Sequence, residues 1–68
     1  MARKLVVIIE LGTDAFNPSE CVESARILRV LASKLSQQKD FNKDDYFMLA
    51  DMNGNTVGGA DVKGQSYL

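Results

Sequence analysis

Three stretches of this 68-residue chain predict a small α+β fold, β-α-β-β, with one helix packed on one face of a three-stranded, mainly antiparallel sheet. Leu5–Leu11 reads LVVIIEL, a run too rich in β-branched residues to be anything but a strand. From Pro18 to about Gln37, apolar residues recur at three- and four-residue spacing, the period of a helix. Asn53-Gly54 then joins two short strand-like segments, as a hairpin turn requires.

The first strand is expected over Arg3–Leu11, ended by Gly12-Thr13-Asp14. For the helix, Asn17 is the expected N-cap, Pro18 the first helical residue and Glu20 the closing member of a capping box, with Phe16 and Cys21 as a hydrophobic staple. Cys21, Ala25, Leu28, Leu31, Ala32 and Leu35 form the stripe expected to meet the sheet, and Ile27 sits beside it. Val22 and Val30 fall off that stripe, among Glu23, Arg26, Arg29 and Ser33. They read either as isolated surface aliphatics or as a contact ridge.

A polar connector, Ser36–Asp44, leads to a second strand over Tyr46–Met52 and a third over Thr56–Val62, joined by a two-residue type I′ turn at Asn53-Gly54. In that register Ala50 faces Val57 and Leu49 faces Gly58. Phe47, Leu49, Ala60 and Val62 share one face, and Tyr46, Met48, Ala50, Met52 and Val57 share the other. A three-residue loop would move the register by one. Strand order 1-3-2 is preferred because every neighbour is then antiparallel; order 3-2-1, with a parallel pair, is the alternative. The chain reads as a single domain over 1–68, with 63–68 as a flexible tail.

Both sheet faces are partly apolar, yet the sequence supplies one helix as cover. Apolar surface left in water forgoes about 25 cal/mol per Å², so the second face is expected to meet another copy of the chain, a partner protein or a ligand. An apolar first strand at a sheet edge is a further template for self-pairing. So short a domain buries only about 60% of the surface its unfolded chain exposes, which favours a staple. With one cysteine and no histidine, neither an internal disulfide nor a Cys/His metal cluster is available, and self-association is the staple that is left.

Eight basic and nine acidic residues give a net charge of −1, without the broad positive field of a non-specific nucleic-acid or membrane binder. The apolar run after Met1-Ala2-Arg3-Lys4 stops at Glu10, too short for a signal peptide or a membrane span. A cytoplasmic protein without membrane attachment is expected, and a single free cysteine fits a reducing compartment.

Catalytic chemistry finds little support in the residue types. Absence of histidine removes the commonest general base and nucleophile activator. Cys21 lies on the stripe expected to be buried, and the carboxylates Asp14, Glu20, Glu23, Asp44, Asp45, Asp51 and Asp61 read as cap, turn and surface groups. Asp51-Met52-Asn53-Gly54-Asn55 imitates the opening of an EF-hand calcium loop, but Thr56 and Val62 stand where that loop needs glycine and glutamate. The glycines match no phosphate-binding or dinucleotide pattern. No enzyme, cofactor or metal is therefore expected. Arg26 and Arg29, with Arg3, Lys4 and the rings of Tyr46 and Phe47 as stacking groups, are the residues a nucleic-acid contact would use; the same two helix arginines also fit a solvated face in which Glu23 pairs with Arg26.

The apolar first strand, Phe16, ESARILRVLASKL at Glu23–Leu35 and LADMNGNTVG at Leu49–Gly58 are together similar to a loose group of short phage and prophage proteins with an E-x-A-R-I-L-R helix and a D-x-N-G-N-x-V-G hairpin. That resemblance implies an accessory protein acting on host machinery or on phage DNA metabolism, and assigns no residue a catalytic role. The functional expectation is a non-enzymatic protein that self-associates, a dimer being favoured, and binds a host or phage protein. Its surfaces would be Val6, Ile8, Met48, Ala50 and Val57 on the outer sheet face and Val22, Arg26, Arg29 and Val30 on the helix. Association with nucleic acid is the alternative.

Overall fold

The structure, a computed structural model, describes residues 3–42 and 44–64. Its elements are β1 (Lys4–Ile9), one 3-10 turn (Asp14–Phe16), α1 (Glu20–Leu35), β2 (Tyr46–Ala50) and β3 (Thr56–Lys63). The sheet order is β1-β3-β2 with both pairings antiparallel, and α1 covers one face. This is the expected β-α-β-β fold in the preferred strand order. Lys63, the first residue of the expected tail, belongs to β3; residues 65–68 of that tail lie outside the described residues.

The helix begins two residues beyond the expected cap. Asn17 instead closes the 3-10 turn, donating its N–H to the Asp14 carbonyl at 3.0 Å. Ser19, in extended conformation, becomes the N-cap, its Oγ accepting the Val22 N–H at 3.2 Å. Phe16 turns into the core rather than stapling to Cys21, which is exposed.

The face that α1 buries is also not the expected one. Glu23, Ile27 and Leu31 are buried, with Leu35 half-buried below them, whereas Cys21, Leu28 and Ala32 are exposed. At about 100° per residue, this line lies roughly a quarter of a turn from the expected stripe. The discrepancy arises because Glu23, a charged residue, occupies an inward position; counting it as a surface group displaced the reading. Ile27 is the central helix residue of the core, which gathers Phe16, Ile27, Leu31, Leu49, Val57 and Ala60, flanked by Val7, Ile9, Leu35 and Phe47.

The hairpin departs from the type I′ expectation. Gly54 is at φ +87°, and among the described residues no non-glycine has positive φ, so Asn53 does not take the left-handed position that a type I′ turn requires of it. The loop has three residues, Met52-Asn53-Gly54, closed by Asp51 N–H to the Asn55 carbonyl (2.9 Å) and Gly54 N–H to the Asp51 carbonyl (3.0 Å). A bulge follows: Ala50 pairs with Thr56 and Leu49 with Gly58, leaving Val57 unpaired. The bulge cancels the offset of the longer loop, so Leu49 faces Gly58 as expected, but it turns Val57 from the outer face into the core. Gly58 passes so close to β1 that a Cβ there would lie 1.8 Å from the Ile8 carbonyl oxygen.

Two substitutions check this arrangement by urea denaturation. Ile27→Ala is expected to cost about 2–5 kcal/mol and Leu28→Ala about 1 kcal/mol or less, the reverse of what the sequence stripe implies. Gly58→Ala should lower stability by about 2 kcal/mol or more, while Gly12→Ala, where a Cβ meets nothing within 4 Å, should not.

Candidate functional site

The outer face of the sheet is built by alternation. Even-numbered residues of β1 and β2 point away from α1, so Ile8 and Met48 flank Gly59, and Val6 and Tyr46 flank Asp61. The Tyr46 ring lies over Gly59, where any Cβ would collide with it. Ile8 and Met48 are each 60% exposed, an extent unusual for side chains of this size held in strands. Val6, Ile8, Tyr46, Asp61 and Lys63 frame a shallow groove of about 380 Å³. Lys63 Nζ stands 3.4 Å from the Asp61 carboxylate within it.

Four of the five expected outer-face residues are therefore brought together: Val6, Ile8, Met48 and Ala50. Val57 is not, because the bulge buries its side chain at 2% exposure; it belongs to the core. The helix residues Val22, Arg29 and Val30 are exposed, but on α1, which packs on the opposite face of the sheet, so the two expected surfaces do not join. Val22 instead sits with Met52, Pro18 and Ala15 around a second hollow of about 330 Å³. Phe47 is on the inner face, edge-on to Phe41 at 6.5 Å, and cannot stack beside Tyr46.

Arg26 is committed to structure. Its Nε and Nη2 donate to both Glu23 carboxylate oxygens at 2.9 Å, and Nη2 also donates to the Ala50 carbonyl at 3.2 Å. Glu23 accepts a third bond, from the Met52 N–H at 2.8 Å. The Arg26 bonds, and after them the Met52 N–H, hold the Glu23 carboxyl below its ordinary range against the opposing effect of burial. Beside it, Asp51 accepts the Thr13 hydroxyl at 2.6 Å, the Asn53 and Asn55 N–H groups at 2.9 Å, and the Asn55 side-chain amide at 3.1 Å. Thr13 foremost, with Asn55 and Asn53, lowers the Asp51 carboxyl from its ordinary 3.8 to about 2 although burial opposes the shift.

Sequence reasoning missed this pair of buried carboxylates. A signal existed for Asp51, since an aspartate just before an Asn-Gly turn accepts N–H groups two and four residues on. Glu23 carried a local signal only for its pair with Arg26, which the structure shows, and nothing local marked its inward position or Thr13, because Met52 and Asp51 lie 29 and 38 residues from them. Elsewhere Asp45 closes the connector, held below its ordinary range by the Asn42 N–H and then the Gln38 amide. Among the described residues, no group of three His, Cys, Asp or Glu side chains is placed to hold a metal ion, and no helix is long and apolar enough to cross a membrane.

A carboxyl whose pKa is depressed on folding stabilises the native state above its unfolded pKa, and that contribution drains away as pH falls toward the folded value. Stability should thus decline between about pH 4 and about pH 2, as followed by urea midpoints across that range. Asp51→Asn, which puts an amide among donors, should lower the midpoint at pH 7 and flatten the acid limb. Compared with known proteins, the chain matches no family model, no curated protein sequence and no solved structure.

Proposed function

We propose that this chain is a non-enzymatic, cytoplasmic interaction protein that self-associates and presents its outer sheet face to a host or phage protein. One observation carries the reading: Val6, Ile8, Tyr46, Met48 and Ala50 form an apolar layer on the side of the sheet that α1 does not cover. Grouped apolar side chains at this exposure mark contact surfaces more often than idle ones. The similarity of the Glu23–Arg29 and Asp51–Gly58 segments to phage and prophage proteins extends the reading to an accessory role on a mobile element. Arg26 is engaged by Glu23 and Ala50, which weighs against the helix arginines as a nucleic-acid strip.

Sedimentation velocity tests the self-association. A rise in mass toward a dimer is expected from low to high micromolar concentration, and Ile8→Lys, at an exposed position, should return the protein to monomer with an unchanged circular dichroism spectrum. A wild-type chain that stays monomeric throughout overturns it. For the partner half, a bound protein should be retained by the wild type and released by Met48→Lys; equal retention would place the contact elsewhere.

A further inference from the structure

Among the three strands, β1 is the one left bare. None of its six residues is buried, and Leu5, Val7 and Ile9 remain half-open or open even on the helix side, because α1 leans toward β2. Its backbone is also available. The Glu10 N–H bonds the Val57 carbonyl, and the Ile8 carbonyl faces Gly58, so even-numbered residues direct their peptide groups to β3. By alternation, the N–H and C=O groups of Leu5, Val7 and Ile9 point outward along the free edge.

The opposite edge is shorter and occupied at one end. On β2 the Asp51 N–H bonds inward to Asn55, so alternation turns the even-numbered peptide groups outward, and the Ala50 carbonyl among them is already occupied by Arg26. β2 is also shorter than β1, five residues against six.

Resting on the self-association proposed above, we infer that β1 pairs antiparallel with β1 of a second copy, in the register centred on Val7, to give one continuous six-stranded sheet. Charge selects the register. With Val7 opposite Val7, Leu5 meets Ile9, Val6 meets Ile8, and Lys4 meets Glu10 of the second copy, twice by symmetry. Within its own sheet Lys4 stands across from Lys63, a like charge, so the second copy brings the acid that the monomer lacks. Every residue of the hydrogen-bonded pairs Leu5–Ile9 and Val7–Val7 is one whose peptide groups point outward. The two outer faces then merge into a single apolar surface twice as wide.

Charge reversal tests the register. Lys4→Glu alone and Glu10→Lys alone should each raise the dimer dissociation constant roughly tenfold at low salt, and the double variant K4E/E10K should restore it. Lys4 and Glu10 of one chain are about 20 Å apart along the strand, so restoration reports contact between copies. In a Cys21→Ser background, Val6→Cys with Ile8→Cys should oxidise to a covalent dimer, because a non-hydrogen-bonded pair has Cα atoms about 4.5 Å apart, within disulfide reach. Val6→Cys alone should not. Association without charge rescue or cross-linking would overturn the β1 pairing and leave self-association standing; a strictly monomeric wild type would overturn both.

Discussion

Two buried carboxylates, Glu23 and Asp51, hold together the three parts of the chain that the backbone alone leaves separate. Thr13 belongs to the segment after β1, Glu23 and Arg26 to the first turns of α1, and Met52, Asn53 and Asn55 to the hairpin; all of them bond to these two side chains. Buried charge is tolerable only when its lone pairs are met, and here three donors serve Glu23 and four serve Asp51. Removing one partner would strand the other's charge in a poorly hydrated place, which makes the junction specify geometry more than it adds net stability.

From that junction the rest of the geometry follows. Glu23 must face inward to reach the Met52 N–H, and this sets the rotation of α1 so that Ile27 and Leu31 follow it into the core. Asp51 must gather the Asn53 and Asn55 N–H groups, which favours a three-residue loop ending in Gly54 over a type I′ turn. The longer loop then requires the bulge that restores the Leu49–Gly58 pairing, and the bulge delivers Val57 to the core. Val57 thus fills the space beneath the helix at the expense of the outer face, which keeps Val6, Ile8, Tyr46 and Met48.

Much of the fold was legible because it is written in local pattern. The apolar first strand, the long helical period and the Asn-Gly turn are each contained within twenty residues or so, and the preference for antiparallel neighbours ordered the strands correctly. What stayed hidden depends on distant partners. Glu23 reads as a surface residue until Met52, 29 positions on, offers it a donor. Val57 reads as outward because a two-residue alternation does not place the bulge, and Asn17 reads as a cap because nothing local sets it apart from Ser19, the residue that takes that role. The outer face was legible for the same reason as the strands, by period two, apart from the one residue that the bulge displaced.

The bond from Arg26 to the Ala50 carbonyl has a consequence for how large an assembly can grow. A sheet with two receptive margins can add chains without limit and polymerise into ribbons. The Arg26 guanidinium takes one acceptor at the end of the β2 margin, and a twofold contact through β1, as proposed above, would consume the bare margin of both molecules. On the proposed β1 pairing, growth would end at the pair, with no bare β1 left over to template a further chain.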